Sequence, residues 1–331
     1  CRICKMRCSY KMAHRKDVSM AAKSKTEPVS AQKGFRHSFK RNRGIYFMLI
    51  PVILYYVIFK YASMFGNIMA FQDFRIARGF WKSNWVGLKH FKTFFEDIYF
   101  WRLVRNTMVI SASTLLFNFP MAVIFALLLN EVRNLRFKKL VQTVTYMPHF
   151  ISTVVICSMI ISYITPSGLI NSIITALGFE KVPFLTNPKY FVGVYVVSHI
   201  WQNMGWSSII YISALSGIDA ELYEAAAVDG AGRWKQTLHI TIPGILPTMS
   251  IMLIMSVGSI MSVGYEKILL LYTPAIYETA DVISTYVYRQ GIMGGSYSYS
   301  AAIGMFNSIV NFSLLTFANW FSKKVQGSGL F

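Results

Sequence analysis

The chain has 331 residues, 54% hydrophobic and only 14% charged, with a formal net charge of +19. A soluble domain is about a quarter charged, so a cytosolic enzyme, a disordered tail and a secreted disulfide scaffold are all disfavoured. The composition points to a polytopic membrane protein. The excess of basic residues raises a nucleic-acid partner, and the position of the charges decides that question.

Residues 1–44 form a basic tail that holds thirteen of the 33 Lys and Arg residues. A nucleic-acid arm would bring a folded aromatic platform, which this tail lacks. Clustered Lys and Arg before a first span suit anionic lipid, so membrane lipid is expected as partner and nucleic acid is not. Cys1, Cys4, Cys8 and His14 have zinc-like spacing. No small folded module surrounds them, so no metal is expected. Residues 1–19 read as sequence ahead of a natural start at Met20. The first apolar run ends in aromatic residues without a small-residue cleavage site, so it does not read as a signal peptide.

Six long stretches hold the apolar residues, and apart from Lys60 in the first they lack Asp, Glu, Lys and Arg. About 20 helical residues cross the hydrocarbon core, so each holds one span. Helices are expected near 45–66, 106–129, 141–163, 190–214, 244–265 and 300–322. Ile268 to Tyr277 is apolar but too short, and reads as interfacial or extracytoplasmic. Buried core helices are the bland alternative for any one stretch, but not for six. Twenty-one Lys and Arg residues fall on one side of this arrangement and ten on the other. The positive side faces the cytoplasm, which places both termini there. The same orientation argues against a lipidated Cys1. Cys157 reads as core filler.

The loop 219–243 is the most informative segment. Ala220 to Val228 is rich in Ala, Glu and Leu, good helix formers. Asp229-Gly230 interrupts it, Gly permitting a left-handed turn and Asp able to cap the next helix. Trp234, Leu238 and Ile242 then recur every four residues, and Pro243 opens the next span. The result is a helix-turn-helix at the cytoplasmic face. Small residues and a few exposed acids suit docking into a partner's groove. An ordinary amphipathic connector fits the same pattern.

These residues carry a resemblance. Glu224-Ala225-Ala226-x-x-Asp229-Gly230-Ala231, followed by Ile240-Thr-Ile-Pro243, resembles the EAA loop of binding-protein-dependent (type I) ABC importer permeases. Trp85-Val-Gly-Leu-Lys-His-Phe91, Asn106-Thr107 and Tyr146-Met-Pro148 resemble further segments of that family. The likeness spans roughly residues 45–325, and within the family it is nearest the oligosaccharide and polysaccharide branch, similar to maltose-type permeases. It implies an all-α membrane protein of six transmembrane helices. The permease domain would be 45–325, with a short C-terminal tail at 326–331. The chain would be a multi-pass component of a bacterial plasma membrane.

The resemblance also implies partners: a second homologous permease, two ATP-binding subunits and an extracellular sugar-binding lipoprotein. The loops 67–102 and 270–299 would help receive the last of these. Glu224, Ala225, Ala226, Asp229, Gly230, Ala231, Trp234 and Pro243 would form the coupling element. Glu224 would pair with a basic residue of the ATPase, Gly230 would supply the bend, and Trp234 and Leu238 would pack on the membrane domain or the ATPase. The sequence lacks a Walker loop, so ATP and Mg would be used by the partner ATPase, with no cofactor bound here and no enzyme activity of the chain's own.

Intramembrane polar residues suggest where cargo sits. His199, Gln202, Asn203 and Trp206 recur at i, i+3, i+4 and i+7, on one helical face, flanked by Trp201. Ser256, Ser259 and Ser262 recur every three residues in the fifth span. Neutral hydrogen-bonding groups beside aromatic planes suit sugar hydroxyls and C–H faces. His199, Gln202, Asn203, Trp206 and Ser256 match the family's sugar-contacting positions, whereas Ile260 and Val263 are apolar where the family has contacts. Each residue also has a bland role. The serines permit close packing, Gln202 and Asn203 bond to a partner permease, and His199 is structural. Glu266 fits a helix cap, and Asn118 with Pro120 marks a kink.

Amino-acid or phosphate cargo would share the loop, but would favour charged rings over these neutral groups. Acidic oligosaccharides stay open if His199 is charged. A secondary transporter would explain Lys60 but not the EAA loop. A membrane enzyme would need catalytic pairs or metal ligands that the sequence does not offer.

Overall fold

The computed structural model describes residues 43–326. The basic tail, its cysteines, the expected start at Met20 and residues 327–331 lie outside the described residues. Two compact units divide the chain between Phe65 and Gly66. In the first, helix α1 (Arg43–Tyr55) runs into a π turn (Tyr56–Tyr61) and a last short helix, Ala62–Met64. Its apolar residues are exposed, Phe47 and Met48 most of all.

In the second unit, two short antiparallel strands, β1 (Gln72–Asp73) and β2 (Asn84–Trp85), pair Gln72 with Trp85 and Asp73 with Asn84. Helices α2 (Lys89–Phe95), α3 (Phe100–Glu131), α4 (Leu135–Phe150), α5 (Thr153–Ile164) and α6 (Leu169–Ala176) follow. Then come α7 (Pro188–Ser216), α8 (Ala220–Val228), α9 (Arg233–Gln236) and α10 (Ile242–Gly258). The chain closes with α11 (Tyr265–Leu271), α12 (Tyr277–Ala280), α13 (Ile283–Tyr288) and α14 (Tyr297–Gln326). Caps set several boundaries. The Asn134 side chain accepts from the N–H groups of Arg136 and Phe137 at 3.0 and 3.2 Å. Asn187 caps α7 ahead of Pro188, whose missing N–H costs nothing at the first helical position.

Among the described residues, five helical stretches are long and apolar enough to cross a membrane: Arg43–Phe71, Phe100–Glu131, Thr153–Ala176, Arg233–Gly258 and Tyr297–Lys324. At most 22% of the apolar stretch of each is buried within the chain. Exposed Leu, Phe and Trp residues are at home in lipid, where outward apolar side chains need no cover. The helix expected at 190–214 is present as the 29-residue α7. Its His, Gln, Asn and Ser residues keep it out of that apolar set. The expected helix at 141–163 is two helices, because the chain breaks at Ile151 and Ser152. The Ser152 hydroxyl there accepts from the Val155 N–H at 3.4 Å. The fifth span ends at Gly258, short of the expected 265. A Cβ at Gly258 would press on the Leu315 side chain, so α10 and α14 approach closely there.

α3 and α7 form the main packed pair, and Ala122, Val123, Ala126, Tyr211, Leu215 and Ile245 make one core cluster. Small residues let the two backbones approach. α4 packs as tightly on α7: a Cβ at Gly205 would collide with the Thr145 carbonyl. At the Phe100 end of α3, charges tie the connecting segments together. Asp281 is fully buried and accepts from Arg289 at 3.1 and 2.6 Å and from the Thr285 hydroxyl at 2.9 Å. Arg102 approaches the same carboxylate at 3.7 Å. The Asn106 amide donates to the carbonyls of Glu278 and Asp281 at 2.8 and 3.0 Å, and the Ile283 N–H donates to Thr107 at 3.0 Å. Nearby, the Tyr286 and Tyr299 hydroxyls donate to Asp97 at 2.6 and 2.8 Å. Burial alone would raise the Asp97 carboxyl. The bonds from Tyr286, the Tyr99 N–H and Tyr299, with Arg102 near, outweigh it and hold the group below its usual 3.8.

A lowered folded value means that Asp97 stabilises the fold fully above its ordinary value and loses that contribution as pH falls through the folded one. Asp97→Asn is expected to lower the thermal midpoint in detergent by about 2–4 °C at neutral pH. The gap from wild type should close as pH falls below the ordinary carboxylate value and through the lowered folded one. Gly205→Val is expected to cost about 1–3 kcal/mol by forcing α4 from α7, read as a lower midpoint with retained helical circular dichroism.

Candidate functional site

Two regions of the second unit carry the residues singled out by the sequence. The first is the loop between α7 and α10. The Asp219 carboxylate caps α8 by accepting from the Glu221 N–H at 3.1 Å. α8 ends where the N–H groups of Asp229, Gly230 and Ala231 return to the carbonyls of Ala225, Ala227 and Ala226. Gly230 takes φ +74°, a left-handed conformation that closes the helix without a side-chain clash. Asp229 was expected to cap the next helix; instead it closes α8, and Gly232 stands at the start of α9. The reason is local, since Gly230 to Gly232 form the turn and carry the chain away before α9 begins. Pro243 does not open a separate helix either. α9 passes through a π turn (Thr237–Thr241) into α10, and Pro243 sits just past that wider turn. Proline lacks the N–H of a regular turn, which a π turn accommodates.

The inner side of this element is tied down. Tyr223 Oη lies 3.0 Å from Thr241 Oγ1, the Gln236 amide donates to the Ala231 carbonyl at 2.9 Å, and Arg233 pairs with Glu131 at the end of α3. The outer side is open. Glu224, Ala225 and Asp229 are exposed, and so are Val228, Trp234 and Leu238. Ala226 and Ala231 are half-buried beneath them. Among the described residues Glu224 has no ion-pair partner.

The second region is a cavity of about 250 Å³ between α3, α7 and the end of α10. Its lining includes Thr114, Asn118, Tyr195, His199, Ser256 and Ser259. His199, Ser256 and Ser259 thus come together. Gln202, Asn203 and Trp206 do not reach this lining. Gln202 is buried and accepts from the Lys267 ammonium at 3.2 Å. Asn203 Oδ1 lies 3.0 Å from His149 Nδ1, and the Trp206 ring stacks on His149 at 4.6 Å. Trp201 faces a separate apolar groove with Tyr163 and Phe184. Shared helical spacing placed the four residues on one face, but three of them are turned to Lys267 and His149 outside the cavity lining.

Ser256 and Ser259 hydroxyls donate to carbonyls one turn back, at 2.8 and 3.3 Å, which leaves their lone pairs free to accept. Glu266 lies in the first turn of α11, where an acid suits the helix dipole. Sequence reasoning missed Thr114, Tyr195, Tyr211 and Lys267. It also took Asn118 only as a kink marker. Asn118 lines the cavity, and its Oδ1 is buried without a hydrogen-bond partner. The signal available was polar residues within the second apolar run. Among the described residues, no group of three or more His, Cys, Asp or Glu side chains is placed to hold a metal ion.

Comparison with known proteins agrees with this architecture. Residues 118–327 match a family described as binding-protein-dependent transport system inner membrane component. Protein LplB of Bacillus subtilis (strain 168) is 42% identical over 313 residues, 93% of this chain and 98% of that protein. The polygalacturonan/rhamnogalacturonan transport system permease protein YteP of the same organism is 42% identical over 292 residues, 88% of this chain and 91% of its own. A crystal structure of a bacterial alginate ABC transporter, in complex with an alginate pentasaccharide-bound periplasmic protein, contains a chain of the same fold. The TM-score is 0.82 at 40% identity, covering 89% of this chain and 99% of that one. The helices, the capped loop and these likenesses converge: the chain belongs to the binding-protein-dependent transport system inner membrane components, as a multi-pass ABC transporter permease.

Proposed function

We propose that this permease is one of two similar halves of an importer that carries oligosaccharides handed over by an extracellular binding protein. Two separate ATPase subunits, using ATP and Mg, would drive it from the cytoplasm. The proposed topology has six spans, α7 being the fourth, with both termini inside. The charge imbalance along the sequence supports that orientation. The cargo reading rests on the neutral hydroxyls and aromatic rings of the cavity, with His199, Ser256 and Ser259 as the contacts kept from the sequence. The solved alginate transporter and the polygalacturonan/rhamnogalacturonan permease support it by likeness.

The observation that carries the coupling reading is the open side of α8 and α9. Glu224, Val228 and Trp234 project from an element whose other side is anchored by Tyr223, Gln236 and Arg233. An exposed Val and Trp beside an unpaired acid are what a partner's groove recognises. Ala225 and Ala226 let that partner approach, and Gly230 sets the turn. Asp229 sits at the C-terminal end of α8, where the helix dipole leaves an acid better satisfied by an external cation. Closure of the ATPases would then reach α3 through Arg233 and Glu131, and reach the cavity through α10.

The test is ATP hydrolysis by the assembled complex in proteoliposomes with loaded binding protein. Glu224→Ala is expected to lower cargo-stimulated hydrolysis about tenfold or more, as loss of one partner of an interfacial charge pair does. Membrane insertion should be unchanged. Wild-type stimulation in this variant removes Glu224 from the coupling role. Arg233→Glu should reduce stimulation by up to about fivefold, in line with an exposed pair. Adding Glu131→Arg should restore it. Failure of the double variant to recover means that the pair does not transmit closure.

A further inference from the structure

Lys267 is a buried charge outside both the coupling element and the cavity lining. It lies in the first turn of α11 and is 5% exposed. Its ammonium donates to Gln202 Oε1 at 3.2 Å and lies 5.5 Å from the centre of the Tyr195 ring. Among the described residues no carboxylate comes within ion-pair distance. Gln202 is a neutral acceptor, so it holds the ammonium without neutralising it. A buried cation in this state is costly in a membrane protein, and such residues mark substrate paths.

The neighbouring groups point to the counter-charge. Tyr195 and His199 stack at 6.1 Å and both line the cavity, as does Gly264, one turn before Lys267. The ammonium is therefore one side chain removed from the cavity. The same lining holds the unpartnered Asn118 Oδ1 and the serine hydroxyls, which suit a sugar's hydroxyl groups. On its other sides α11 packs against α5 and α13 of the same chain. The side toward Tyr195 and Gly264 is where a counter-charge in the cavity would approach the ammonium.

We propose that Lys267 is the charge-selecting residue of the cargo path and that the cargo is an acidic oligosaccharide whose sugars carry carboxylates. This rests on the oligosaccharide reading above. Gln202 is the resting acceptor. A cargo carboxylate at the cavity wall competes for the ammonium, since a charge-assisted bond is stronger than one to an amide. Neutral sugars gain nothing from Lys267.

The test uses the full complex with its binding protein in proteoliposomes, with trigalacturonate and maltotriose as probes. Lys267→Met and Gln202→Glu are each expected to lower trigalacturonate uptake at least about tenfold, the scale of one buried charge pair. Lys267→Arg should keep trigalacturonate uptake within about threefold of wild type. Gln202→Glu is the decisive variant. It supplies an internal counter-ion, which a purely structural lysine would tolerate and a charge-selecting one would not. Should Lys267→Met fail to assemble, Gln202→Glu decides alone. Wild-type uptake of trigalacturonate in Gln202→Glu overturns the proposal, as does equal loss of acidic and neutral uptake. Wild-type uptake of maltotriose but not trigalacturonate overturns it while leaving the oligosaccharide reading intact. A wild-type complex stimulated by neither sugar overturns that reading instead.

Discussion

In hydrocarbon a polar group must find its partner inside the protein or along a wet path. That constraint governs this chain. It makes the apolar stretches helical, so that backbone groups are satisfied within each segment. It also sorts the polar side chains into those spent on holding helices together and those left facing the cavity. Asn203 with His149, Asn311 with Ser262 and the Met261 N–H, and Asn106 with two carbonyls belong to the first kind. Asn118 Oδ1 and the lone pairs of Ser256 and Ser259 belong to the second. Charge is treated more strictly still. Asp281 is buried only because Arg289, Arg102 and Thr285 surround it, and that knot fixes α12 and α13 to the start of α3. Lys267 has no such knot, which is why it stands out.

Much of the fold was legible because it follows from composition over long windows. Uncharged runs of helical length give spans, and the Asp219, Asn134 and Asn187 caps set ends that local chemistry dictates. What was not legible is where an apolar run breaks. Leu140 to Phe179 carries no charge, so its interruption at Ile151 and Ser152 was hidden, although Pro148 and the Ser152 hydroxyl were the available signs. The serines at 256, 259 and 262 looked like one helical stripe. The chain leaves the helix at Gly258, where α14 approaches closely through Leu315. Such contacts join residues far apart in sequence and leave no periodic trace.

The candidate site divides along the same line. The turn at Asp229-Gly230 was readable because a positive φ and a small residue are local requirements. The cavity was only half readable. Helical spacing showed that His199, Gln202, Asn203 and Trp206 share a face, but not that Lys267 and His149 would claim three of them. Lys267 was counted only among the ten basic residues of the less positive side. Its burial arises because α11 folds back between α5 and α13 rather than extending away from the membrane.

The passage from α9 through the π turn into α10 gives the chain an unbroken rod from Arg233 to Gly258. Trp234 stands near one end and Ser256 near the other, a helical distance of about 33 Å. Such a rod acts as a lever arm. If the Trp234 end is gripped and the rod tilts by about 5°, the serine end sweeps about 3 Å, a displacement comparable to one hydrogen bond. The π turn and Pro243 lie between the two ends, so bending there subtracts from the sweep at Ser256, and the rod transmits a tilt only as far as that turn stays stiff. On the proposed coupling, a small tilt at the Trp234 end becomes a bond-sized displacement at the cavity wall.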